Sequence, residues 1–121
     1  MRNSISSAEQ AMAALIRLKA RSLSVRVNCS FPNAGLSFEG FVIQADLSGL
    51  LIEGRAFKSG RAPVLRLAPP LPFAFVGDWE EGVLGISLAL LITREVSSLE
   101  GVRIHLNAEP PEPNHSSRLV S

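Results

Sequence analysis

Two arginines four residues apart, Arg17 and Arg21, precede the first strongly alternating stretch of this chain, and Asp46-Leu47-Ser48-Gly49 forms a turn signal after the second. The arginine side chain is a planar fork of N–H donors. It meets phosphate or carboxylate oxygens through paired hydrogen bonds, and the O6/N7 edge of guanine in the same way. Other chemistry fails on inventory. A Ser-His-Asp or Cys-His site would depend on His105 alone, because His115 falls in a segment without periodicity. Glu80 and Glu81 sit beside Trp79 in what reads as a solvated acidic loop, and no Gly-x-Gly-x-x-Gly or Walker sequence is present. The lone Cys29 has neither a disulfide partner nor a second cysteine at a metal-site spacing, and it reads as a small core residue. A binding protein is therefore expected rather than an enzyme, with no catalytic residue, metal or resident cofactor.

The elements that must position these residues follow from periodicity. Ser6 with Glu9, and Ser7 with Gln10, each fit the Ser-x-x-Glu/Gln capping box, which predicts a helix from Ala8 to about Ala20 with Met12, Leu15 and Ile16 on its packed face. Residues 1–7 lack periodicity and are expected to fray. After Arg21 the period becomes two: Leu23, Val25, Val27, Cys29 and Phe31 alternate with polar residues, and Pro32, Asn33 and Gly35 turn the chain. A second strand spans residues 36–45, with a bulge or sharp bend expected at Gly40. A third begins at Leu50. A basic loop over residues 54–63 follows, then short strands at 64–67 and 73–76 and an acidic loop at 77–82. The apolar run of residues 83–93 reads as a buried strand, and it pairs with residues 102–106 as a hairpin around residues 97–101. Beyond Asn107 three prolines close to one another predict a disordered tail.

At 121 residues, with 46% hydrophobic and 19% charged residues, the chain supports one hydrophobic core. Several short strands predict a mainly β domain over residues 22–107, a six-stranded antiparallel barrel, with residues 1–21 as helix and lead-in and residues 108–121 as tail. No apolar stretch has the roughly 20 residues a spanning helix needs, and no signal-peptide core is present, so a cytoplasmic location is expected. Net charge is only +1, yet the halves differ. Residues 1–66 hold nine Lys/Arg against four Asp/Glu, and residues 67–121 hold three against seven. Arginine dominates the basic residues, which hints at an anionic ligand, although a GC-rich genome favours arginine as well.

On these segments the chain resembles the PilZ family of bacterial cyclic di-GMP receptors. That family has an Arg-x-x-x-Arg segment leading into the first strand, an Asp/Asn-x-Ser-x-x-Gly turn after the second, and a six-stranded barrel closing with a Gly-Val-x-Phe-like strand. The corresponding stretches here are residues 17–21, residues 38–51 and Leu99-Glu100-Gly101-Val102-Arg103-Ile104. The resemblance implies that Arg17 and Arg21 contact guanine and phosphate, and that Asp46 and Ser48, with Gly49, form the turn ligands. It also implies bacterial signalling, with cyclic di-GMP or, in a degenerate member, a protein as partner, and a monomer or dimer. The glycine the family places three residues after the serine is Leu51 here, and Gly49 comes two positions early.

A second resemblance is to Sm-like RNA-binding barrels. It rests on an N-terminal helix followed by Val25-x-Val27 and by Phe38-x-Gly40-x-Val42, with Asp46 six residues after the glycine. Such proteins assemble as hexameric or heptameric rings and bind RNA bases through the loop after that aspartate. That loop lacks the family's asparagine here, and the chain has about one strand too many. General nucleic-acid binding is disfavoured, because stacking on bases needs exposed aromatics and the chain has no tyrosine and one tryptophan.

Overall fold

A computed structural model of the chain describes residues 2–31, 34–46, 48–55, 60–67, 73–97 and 100–110. Helix α1 (Ala8–Ala20) begins at the second of the two overlapping capping boxes. Ser7 Oγ accepts from the Gln10 N–H at 3.2 Å, and Gln10 Oε1 accepts from the Ser6 N–H at 2.7 Å, so two donors near the helix start find partners. The helix stops by a Schellman closure: Leu23 N–H donates to Leu18 O at 3.0 Å and Ser22 N–H to Lys19 O at 3.1 Å. Ser22 holds φ 52°, the left-handed conformation usually given to glycine, at a cost of roughly 1–2 kcal/mol.

The packed stripe of α1 is Ala11, Met12, Ala14, Leu15 and Leu18. Ile16, expected on that face, is 46% exposed. Two alanines explain the rotation. They let the helix backbone approach the sheet, which centres the stripe on the 11/14/15/18 row and turns residue 16 aside.

The strands are β1 (Asn3–Ile5), β2 (Ser24–Phe31), β3 (Ala34–Asp46), β4 (Gly49–Gly54), β5 (Val64–Leu67), β6 (Ala74–Glu81), β7 (Ile86–Ser97) and β8 (Glu100–Ala108). They form one antiparallel sheet in the order β1-β6-β7-β8-β2-β3-β4-β5. Strands β2–β5 are one meander and β6–β8 another. The pairing of β2 with β8, from Arg26↔Asn107 to Ser30↔Arg103, joins the two.

The mainly β, antiparallel architecture with one N-terminal helix is as the sequence predicts. The six-stranded closed barrel is not what forms: the sheet has eight strands, and its edge strands β1 and β5 do not pair among the described residues. Two stretches account for the change. The N-terminal segment expected to fray supplies β1, whose Ile5 is buried and pairs with Gly77. The supposed acidic loop is the second half of β6, which stays paired with β7 from Gly77↔Leu90 to Glu81↔Ile86. Rather than closing strand to strand, the sheet curls around α1, which packs chiefly on β3 and β6.

The core contains the inward rows Val25, Val27 and Cys29 of β2, Leu88, Leu90 and Ile92 of β7, and Ile104 and Leu106 of β8, together with the helix stripe. Two glycines permit the tight coil. A Cβ on Gly77 would lie 2.0 Å from Ala89 O, and one on Gly40 would lie 2.5 Å from Glu53 O, so neighbouring backbone occupies the space a side chain would need. Gly40 is therefore a point of close approach and not the bulge. The register shift falls between Val42 and Gln44. The β7–β8 hairpin forms as expected, and β8 extends to Ala108, which pairs with Leu88. The expected tail from residue 111 onward and Lys58 of the basic loop lie outside the described residues.

Candidate functional site

Arg17 lies in the last turn of α1 and Arg21 is its C-cap, so a spacing of four places both guanidinium groups on one side of the helix end. Strand β6 ends opposite them at Glu81. Arg17 grips that carboxylate with a fork, donating from Nε to Oε1 at 3.0 Å and from Nη2 to Oε2 at 2.8 Å. Arg21 donates from Nη1 to Oε2 of the same carboxylate at 3.2 Å and to the Gly82 carbonyl at 2.8 Å, and from Nη2 to the Val83 carbonyl at 3.0 Å. Two like charges that would repel each other on a bare helix thus share one anion. Their hydrogen bonds, that of Arg17 foremost, hold the Glu81 carboxyl below its usual range, and Glu81 raises Arg17 in turn.

The pinned turn is the tip of the β6–β7 hairpin, closed by a Gly82 N–H to Gly85 O bond of 2.8 Å. Val83 is 96% exposed and Leu84 53%, so both belong to the exposed turn and not to the buried strand expected from residue 83 onward. Beside the turn, Arg2 Nε donates to Asp78 Oδ1 at 3.1 Å and Arg2 Nη1 to Ser87 Oγ at 3.3 Å. The ion pairs Arg2–Asp78, Arg17–Glu81 and Arg21–Glu81 all run from the basic first half of the chain to the acidic second half. Part of the charge asymmetry in the sequence is therefore used internally.

Asp46, Ser48 and Gly49 form a second cluster. Asp46 Oδ1 accepts from the Ser48 N–H at 2.8 Å, from the Ser48 hydroxyl, and from Gln44 Nε2 at 3.3 Å, while Gln44 Nε2 also donates to Ser48 Oγ at 3.1 Å. This is an Asx turn reinforced by the residue just past the β3 register shift. The Ser48 hydroxyl first, then the Gln44 amide, lowers the Asp46 carboxyl below its ordinary value. Gly49 at φ 153°, with the Leu67 carbonyl 3.1 Å from where its Cβ would stand, begins β4 in a conformation other residues avoid. Leu51 occupies an ordinary strand position opposite Gln44 and Arg66, which requires no glycine.

The structure thus joins Arg17 with Arg21, and Asp46 with Ser48 and Gly49. Among the described residues no hydrogen bond or ion pair links the two sets. Sequence reasoning missed Glu81 and Gln44. The opposite charge of the two halves was a signal for Glu81, whereas nothing in the sequence marks Gln44. Among the concavities of the described residues are one of about 680 Å³ lined by Ser24, Phe38, Phe41, Gly54 and Arg55 among others, and one of about 400 Å³ beside the pinned turn, flanked by Arg2, Val83, Leu84 and Ser87. Neither is lined by the five expected residues. Cys29 is buried, which pushes its thiol up. Among the described residues no group of His, Cys, Asp or Glu is arranged to hold a metal ion, and no helix is long and apolar enough to cross a membrane. Comparison with protein-family models, curated proteins and solved structures finds no match to the chain.

Proposed function

We propose that the chain is a non-catalytic, PilZ-like binding module for cyclic di-GMP, in which Arg17 and Arg21 take the phosphate and guanine groups and the Asp46–Ser48 turn supplies a second contact. The observation that carries this reading is the convergence of two guanidinium groups, one helical turn apart, on a single anion. A carboxylate gripped by an arginine fork uses the same paired N–H···O geometry as a phosphate. The cluster also remains open to solvent, with the side chains of Arg17 and Glu81 47% and 28% exposed. The acidic and hydroxyl groups of Asp46 and Ser48 lie on an exposed turn, where a base edge has access to them.

Isothermal titration of the full chain with cyclic di-GMP tests the reading. Saturable binding that disappears in Arg21→Ala is expected. Absence of heat at high protein concentration refutes the dinucleotide and leaves a module whose partner is a protein.

A further inference from the structure

We propose that Glu81 is a built-in competitor for the anion site of Arg17 and Arg21, so that a ligand anion enters by displacing it and unpins the β6–β7 turn. The inference rests on the reading above, and it concerns how that same site is regulated.

Donor accounting leads to it. Arg17 commits Nε and Nη2, the two donors of one edge of its fork, to Glu81. Arg21 divides Nη1 between Glu81 and the Gly82 carbonyl and places Nη2 on the Val83 carbonyl. A phosphate seated between the two forks would need the donors that Glu81 now holds, and it would lie against a carboxylate of its own sign. The anions therefore exclude one another. Exchange is feasible because the pair is partly solvated, and a solvated ion pair is held weakly.

Arg21 couples the exchange to the turn. Its guanidinium cannot swing toward a ligand and keep both carbonyls of the hairpin tip, and those exposed carbonyls can turn to water instead. Val83 and Leu84, the exposed apolar side chains at that tip, are then freed when ligand binds. The ligand signal reaches the surface through this turn. Trp79 lies two residues before Glu81 on β6, half-buried, and reports the change.

The test compares wild type, Glu81→Gln, Glu81→Asp and the double variant Glu81→Gln/Arg21→Ala, titrated separately with cyclic di-GMP and inorganic pyrophosphate. Binding is followed by Trp79 fluorescence and the turn by amide chemical shifts. Removing the competing charge should tighten binding roughly fivefold, the worth of an exposed ion pair. Glu81→Asp, which keeps the charge but withdraws it by one methylene, should fall between, and the double variant should not bind. The amides of residues 82–84 should move on ligand addition to wild type and be partly displaced beforehand in Glu81→Gln. Equal cyclic di-GMP affinity in wild type and Glu81→Gln overturns the competition and leaves the receptor reading intact. Arg21-dependent pyrophosphate binding, tighter in Glu81→Gln, with no response to cyclic di-GMP supports the competition and removes that reading. Silence of every variant toward both probes overturns both.

Discussion

Truncating Leu15 to alanine removes three carbons from a side chain with no exposed surface, in the middle of α1. At about 0.8 kcal/mol per buried methylene the transfer loss is about 2.4 kcal/mol. Incomplete collapse of the resulting cavity brings the total to about 3 kcal/mol, inside the range for buried leucine-to-alanine changes. For 121 residues, an unfolding entropy of roughly 2.1 cal/mol/K per residue converts this to a Tm lowered by about 12 °C. Ile16→Ala removes the same number of carbons one residue further on, but nearly half of that side chain is already in water, and alanine is the better helix former. Its cost should stay under about 1 kcal/mol. Urea unfolding of the two variants, followed by far-ultraviolet circular dichroism, should show a clear gap in midpoint with an unchanged m-value. Equal costs, or a greater loss at Ile16, would mean that α1 presents its other flank to the sheet, and the packing argument would be wrong.

Ser22→Gly should raise stability by about 0.5 kcal/mol in thermal unfolding, because relief of the left-handed strain outweighs the extra freedom of glycine in the unfolded chain. Asp46 has a lowered carboxyl pKa, so the stability it contributes is complete above about pH 4 and fades as the pH falls through its depressed folded value. Asp46→Asn should therefore be less stable than wild type at neutral pH and show a shallower loss between pH 5 and 2, a difference that urea midpoints across that range will reveal. The Cys29 thiol, buried and raised, should resist a disulfide reagent at pH 8 in the native protein and react at once in denaturant. Rapid native labelling would place it at the surface instead.

Periodicity carried most of the architecture. The helix, the alternating β2 and the β7–β8 hairpin lie where the pattern placed them, because each buries one face and exposes the other. The misreadings share a cause. Glycine stands at Gly77 because backbone fills the inward position, and it broke the visible alternation and made a strand look like an acidic loop. The short β1 carries one buried side chain, Ile5, and too few residues to show a period; its place comes from long-range pairing with β6. The candidate site was half visible for the same reason. A spacing of four put Arg17 and Arg21 side by side, and Asp46-x-Ser48 gave its turn, both local facts. Which carboxylate answers the arginines depends on the strand brought opposite the helix end, and no local pattern contains that information.

The seam between β2 and β8 has a consequence for how the chain is made. During synthesis the helix and the first meander leave the ribosome long before the strand that flanks them, and Arg26 waits for Asn107. Until then the inner face of β2 and its own unpaired edge stay open to whatever else is nearby. The first meander is vulnerable until β8 has been made, so slow elongation between β2 and β8 should matter more to its yield than slow elongation before β2.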